Sequence, residues 1–200
     1  MTDAGTSAAP GLLERLDAGP VVCAEGYLFE IERRGYLTAG AYVPEAVLEH
    51  PDAVIQLHRE LLRAGSDVML AFTYYAHREK LRLIGKEDQL ERMNRTAVRL
   101  ARVVAQEGGA LVAGNVSNSN IFVEGDPESA RTVRAMFDEQ VGWAVDEGVD
   151  YFVAETIGYV GEALLALEAI KETGLPAVIN LAIFRDPHTR EELARTVTSI

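Results

Sequence analysis

One cysteine, Cys23, stands in a chain of 200 residues. That excludes an intramolecular disulfide scaffold and any zinc centre built from several thiolates of this chain. Long apolar runs are also missing. None approaches the roughly 18 residues of a membrane span, and the first twenty residues lack the basic start and apolar centre of a secretory signal. These absences predict a cytoplasmic, reducing setting and no membrane partner. Basic residues are scarce: Lys and Arg number 19 against 31 Asp and Glu, for a net charge of -12. No basic cluster exceeds the Arg33–Arg34 pair, and non-specific nucleic-acid binding needs cations that displace phosphate counterions, so no nucleic-acid partner is expected. The chain also carries no HExxH helix, no GxSxG elbow, no GxGxxG cradle and no GxxxxGK[ST] loop.

What is present is a chain that is 48% apolar, with 17 glycines and 7 prolines, long enough to bury one core without metal or disulfide. Residues 1–11, small and polar, are predicted as a flexible leader, and 12–200 as a single domain. A short helix at Leu12–Asp17 precedes a strand at Val21–Ala24. Val54, Leu57 and Leu61 share one face of a helix over Asp52–Arg63, followed by a strand at Asp67–Phe72. A helix over Glu87–Gln106, with Leu90, Met93, Ala97, Leu100 and Val104 turned inward, leads to a strand at Leu111–Asn115. Val133, Met136, Phe137, Val141 and Ala144 mark the next helix, before a strand at Tyr151–Ala154. A helix over Val160–Ile170, a strand at Ala177–Leu181 and a closing helix over His188–Val197 complete the pattern. Continuous apolar strands between amphipathic helices predict an α/β fold with about five parallel strands and covering helices.

The unusual polar residues fall after strands: Glu25, Thr73–Tyr75, Asn115–Ser119, Glu155–Thr156 and Asn180. In parallel α/β proteins those loops form one recognition face. Glu25 and Glu155 have three uses open to them, as partners of an amino group, as a separated acid and base, or as metal ligands. Against these stands a turn role for Glu25 and a helix-cap role for Glu155. Tyr42, Tyr74 and Tyr75 can enclose a methylated cation with their ring faces or pack at the core edge. Asn115, Ser117, Asn118 and Ser119 suit either a ligand's polar end or a polar turn. Trp143 and a partly exposed His58 read as helix packing, His77 as a candidate beside the aromatic loop, and His50 and His188 as turn neighbours. Cys23 reads as a buried structural thiol.

Several ordered phrases carry a likeness. They are Leu12-Leu-Glu-Arg-Leu-Asp-Ala-Gly, Glu25-Gly-Tyr-Leu-Phe-Glu-Ile-Glu-Arg-Arg-Gly-Tyr, Pro44-Glu-Ala-Val-Leu-Glu-His-Pro, and Gln56-Leu-His-Arg-Glu-Leu-Leu-Arg-Ala-Gly-Ser-Asp-Val-Met. Phe72-Thr-Tyr-Tyr-Ala, Leu111-Val-Ala-Gly-Asn-Val-Ser and Tyr151-Phe-Val-Ala-Glu continue the series. Over about residues 12 to 182 the chain resembles the homocysteine S-methyltransferase family, most of all the N-terminal part of its betaine–homocysteine branch. The resemblance implies a partial or shortened TIM-barrel-like arrangement. It implies methyl transfer from a small methylated donor to a thiol acceptor, homocysteine. Glu25, at a position usually Asp, and Glu155 would hold the acceptor's amino group as the catalytic pair. Thr73, Asn115 and Ser117 would join them in substrate binding.

By the same likeness Tyr75 matches an aromatic substrate-side position, and Tyr42 falls where betaine-using relatives carry Trp. The family binds zinc through three late cysteines that have no counterpart in this chain, so no cofactor is expected within it and zinc only from a missing segment or partner. A shortened barrel would expose strand edges, which implies self-association or a complementary chain. The alternative reading is a non-catalytic small-molecule binding or assembly protein derived from this family.

Overall fold

The computed structural model describes residues 9–37 and 43–182; residues 1–8, Tyr42 and the expected helix at His188–Val197 lie outside the described residues. Helix α1 (Leu12–Ala18) leads to an extended stretch at Val21–Ala24 and then α2 (Tyr27–Arg33), α3 (Ala46–Glu49) and α4 (Pro51–Arg63). Strand β1 (Val68–Leu70) is followed by α5 (Arg78–Ile84), a 3-10 turn at Glu87–Gln89 and α6 (Leu90–Gly108). The remainder alternates: β2 (Leu111–Ser117), α7 (Pro127–Asp146), β3 (Tyr151–Ile157), α8 (Val160–Lys171) and β4 (Ala177–Leu181).

The strands form one parallel sheet in the order β1-β2-β3-β4, as continuous apolar strands joined through helices require. Leu111 stands opposite Val68, Tyr151 opposite Ala113 and Ala177 opposite Phe152. The expected first strand at Val21–Ala24 is reduced to a single parallel bridge between Cys23 and Val68. Its backbone does run beside β1: the amides of Asp67 and Val68 donate to Val22 O, and that of Ala24 donates to Val68 O. The Val22 amide, however, is taken by the Asp67 carboxylate at 2.8 Å, which ends the ladder on that side. Among the described residues the sheet therefore has four strands and a bridge where about five strands were expected.

Helix starts follow local chemistry. Pro51 and Pro127 open α4 and α7, where a missing N–H costs nothing, and the Asp126 carboxylate accepts the Glu128 amide at 2.9 Å. Helix α7 buries Val133, Met136, Phe137, Val141 and Ala144, the expected face. Helix α6 departs by one position. Ala101 and Val98 are buried whereas Leu100 is only partly so, because small side chains let the helix lie close to the sheet. Helix α2, α3 and α5 were not read in the sequence. No helix among the described residues is long and apolar enough to cross a membrane.

Consecutive covering helices are laced by Arg–Glu pairs at their outer rims. Arg34 at the end of α2 pairs with Glu60 of α4, Arg59 of α4 with Glu107 of α6, Arg99 of α6 with Glu147, and Arg134 of α7 with Glu172, each at 2.6 Å. Each exposed pair contributes about 0–1 kcal/mol; the large term is apolar burial between helices and sheet.

Gly114, in the middle of β2, shows how close that packing is. A Cβ there would sit 2.6 Å from the Phe152 ring and 3.3 Å from Ala144 Cβ. Gly114→Ala is expected to destabilise the fold by about 1–3 kcal/mol through overpacking, read as a lower urea midpoint. An unchanged midpoint would show that the ring has room to turn away.

Candidate functional site

The strand ends are where the regular backbone stops. The Cys23 bridge gives way to Glu25 and then Gly26, whose φ of 81° is readily reached only without a Cβ. That turn starts α2, buries Tyr27 and Ile31 one helical turn apart, and places Leu28 and Phe29 beside Glu25. On β3 the register slips: Ala154–Ile157 faces Ile179–Leu181, so one extra residue is accommodated as a bulge. Within it Thr156 has φ 61°. A β-branched residue in that region is strained by about 1–3 kcal/mol, and the strain sits next to Glu155.

These two irregularities put Glu25, Glu155 and Thr156 on one cavity of about 360 Å³, together with Asn115 of β2. Tyr27, Leu28, Phe29, Leu70, Phe72 and Tyr74 supply its apolar walls. Its described lining contains no Lys or Arg. The Glu25 side chain stands at the mouth, reached by solvent, yet the protein packed around it and then the charge of Glu155 push its carboxyl up to about 7. Burial raises Glu155 also, opposed by the Asn115 amide, whose Nδ2 donates to Glu155 Oε1 at 2.5 Å. A small apolar cavity with two carboxylates and, among the described residues, no cation suits a ligand that carries a positive charge.

The other expected site residues divide by position. Thr73 is buried and its hydroxyl donates to the Asn115 carbonyl at 2.7 Å. Ser117 is buried and its hydroxyl accepts the Tyr75 amide at 3.2 Å. Neither lines the cavity; both stitch the loop after β1 to the end of β2. Tyr74 faces the cavity. Tyr75 turns aside at φ 60°, its ring 4.2 Å from that of Tyr74, with Lys80 Nζ over it at 4.0 Å. Tyr42 lies outside the described residues. Asn118 bonds to Asn120, and Asn180 is exposed on β4.

Cys23, expected to be buried, is only partly so. Burial and then the charge of Glu25 push its thiol up to about 11, and Tyr151 Oη lies 3.8 Å from its sulfur. His58, expected to be partly exposed, is fully buried: its Nδ1 pairs with Tyr27 Oη at 2.9 Å, and burial lowers it to about 3, so it is neutral. His77 caps α5 by accepting the Lys80 amide at 3.4 Å. Burial followed by the charge of Lys80 lowers it to about 4.

Two contributions were missed in the sequence. The α2 wall was signalled by the spacing of Tyr27 and Ile31 after Gly26. Glu162, at the start of α8, is 2% exposed and accepts both the amide of Ser119 at 2.6 Å and its hydroxyl at 2.5 Å, anchoring the loop after β2. No local pattern marks it.

Comparison with known proteins now bears on this geometry. A family model described as homocysteine S-methyltransferase matches residues 24–199. Betaine–homocysteine S-methyltransferase 1 of Xenopus tropicalis is 44% identical over 185 residues, covering 90% of this chain and 45% of that protein. The protein of the same name from Sus scrofa is 42% identical over 181 residues, covering 88% of this chain and 64% of that one. The chain thus spans less than half the length of the frog relative. Among solved structures, the homocysteine methyltransferase MmuM from Escherichia coli, metallated form, superposes with a TM-score of 0.70 at 22% identity over 86% of this chain and 66% of that one. This likeness speaks to fold alone, and it agrees with a partial TIM-barrel-like sheet. The match over residues 24–199, with these relatives, means that the chain belongs to the homocysteine S-methyltransferase family.

Proposed function

We propose that this chain supplies the amino-acid-binding side of a methyl-transfer site, where the methyl group of a small methylated donor passes to the thiol of homocysteine. The observation that carries the reading is the cavity shared by Glu25 and Glu155, with no Lys or Arg in its described lining. An α-ammonium group placed between them gains two charge-assisted hydrogen bonds and lowers the repulsion between the carboxylates. Leu28, Phe29 and Phe72 give the acceptor's methylene chain an apolar wall. In the transfer, the thiol gives its proton to solvent, and sulfur forms a bond to the methyl carbon as the bond from that carbon to the donor heteroatom breaks, its electron pair leaving with the donor. Holding the acceptor by its amino end fixes sulfur for in-line approach.

Zinc, implied by the family likeness, needs thiolate ligands. The chain's single thiol is held protonated well above neutrality, and among the described residues no three His, Cys, Asp or Glu gather as a metal site. The described residues do not fit that ion. This poor fit favours a second reading, ligand binding without turnover. A methyl-transfer assay with homocysteine, methylated amines and added zinc separates the two. Methionine formation supports the first reading; binding with no product supports the second.

Calorimetry with L-homocysteine tests the shared premise. Glu25 must be ionised to receive the ammonium group, so affinity is expected to rise with pH, up to about tenfold per unit, and to level off above about 7. A flat profile from pH 5.5 to 8 would remove Glu25 from the site. Glu155→Gln is expected to weaken binding roughly tenfold or more at pH 8, with the circular dichroism spectrum unchanged. Unaltered affinity would overturn its assignment.

A further inference from the structure

Among the described residues the half-buried arginines are Arg15, Arg34, Arg59, Arg95, Arg102 and Arg134. Arg34, Arg59, Arg95 and Arg134 each meet a carboxylate at 2.6 to 2.7 Å. Arg15 and Arg102 meet none among the described residues, in a chain whose acidic residues outnumber the basic ones by 31 to 19. Both exceptions line one cavity of about 340 Å³. It lies at the strand starts, beside Leu111, Val112 and Asp150, at the other end of the sheet from Glu25 and Glu155. Arg15 is fixed by backbone: its Nε donates to the Pro10 carbonyl at 3.0 Å and its Nη2 to that of Gly109 at 2.9 Å. Arg102 is seated by shape. A Cβ at Gly148 would collide with its Nη2, so the missing side chain is what lets the guanidinium lie against the turn before β3. The one carboxylate in the described lining, Asp150, already accepts the Val112 amide at 2.7 Å through Oδ2.

We propose that this cavity is an anion site that takes a phosphate group, as the free ion or on a small monoester, between the guanidinium groups of Arg15 and Arg102. Drawing a guanidinium part-way out of water without a counter-ion costs free energy, and an arriving anion returns it. The planar fork of N–H donors matches two oxygens of a phosphate, which a point charge does not. Carbonyl contacts hold the Arg15 fork in place before any ligand arrives, and the Gly148 seat does the same for Arg102, so little side-chain freedom is lost on binding. The inference is independent of the acceptor-binding reading, and homocysteine plays no part in its test.

The experiment titrates inorganic phosphate into the full chain by calorimetry at pH 8, with ionic strength held constant by sodium chloride so that general screening does not change. The wild type is expected to bind one phosphate saturably, and its melting temperature to rise with phosphate but not with chloride. Arg102→Gln is expected to weaken phosphate binding by at least about tenfold. Arg63→Gln, which removes an exposed arginine outside the cavity, is expected to leave it within about twofold. No saturable binding by the wild type overturns the proposal, as does unchanged affinity in Arg102→Gln. Equal weakening in Arg63→Gln also overturns it, since the ion would then sense only diffuse surface charge. Should Arg102→Gln fail to fold by circular dichroism, Arg102→Lys, which keeps the charge and loses the fork, must weaken binding by at least about threefold. Glycerol 3-phosphate separates the two sources: tighter binding than inorganic phosphate assigns the site to monoesters, and weaker binding to the free ion.

Discussion

Two carboxylates share a small cavity whose described lining offers them no Lys or Arg, and much of the surrounding architecture follows from keeping them there. Glu25 titrates near 7 in the folded chain against an ordinary value of 4.5. The folded state therefore holds a proton that the unfolded state has already released, and stability declines as pH rises from about 4.5 through 7. Above that window the Glu25 charge stands beside that of Glu155, whose field is part of what raises it.

The backbone around the pair is correspondingly specialised. Gly26 permits the turn after Glu25, and the β3 bulge with Thr156 in the left-handed region sets Glu155 off the ladder with β4 while it stays paired with Ser117 of β2. Thr73 and Ser117 tie neighbouring strand ends together, while Glu162 anchors the Ser119 loop from α8. The rest of the fold is regular by comparison. Apolar helix faces close on the sheet, and Arg–Glu pairs join each covering helix to the next. Strained geometry is thereby concentrated at the strand ends, where a rigid sheet can hold it.

The regular part was legible in the sequence for the same reason that it is regular. Strand β4 falls at Ala177–Leu181 as its apolar run between Pro176 and the following segment requires, and α7 buries the face that its periodicity marks. That Glu25 and Glu155 share one cavity was legible because each comes late in or just after an apolar run of a parallel arrangement, although Glu155 falls inside β3 rather than after it. What could not be read depends on partners remote in the chain. His58 is buried because Tyr27, 31 residues away, takes its Nδ1. The bulge at Thr156 exists only relative to the register of β4. Thr73 and Ser117 have the chemistry of ligand contacts, but their hydroxyls are spent on the backbone of neighbouring segments. The short helix α2 escaped because a left-handed glycine at its start leaves no polar capping residue to announce it.

Tyr74 and Tyr75 are adjacent in sequence but differ in what their rings can still do. With the Lys80 ammonium already lodged over the Tyr75 face, any cation arriving at that ring enters an exchange with a tethered competitor. It gains only the difference between its own attraction and that of the lysine. The ring face is thus already satisfied from within the chain, and only a cation that loses less water on docking than the lysine regains on leaving would displace it.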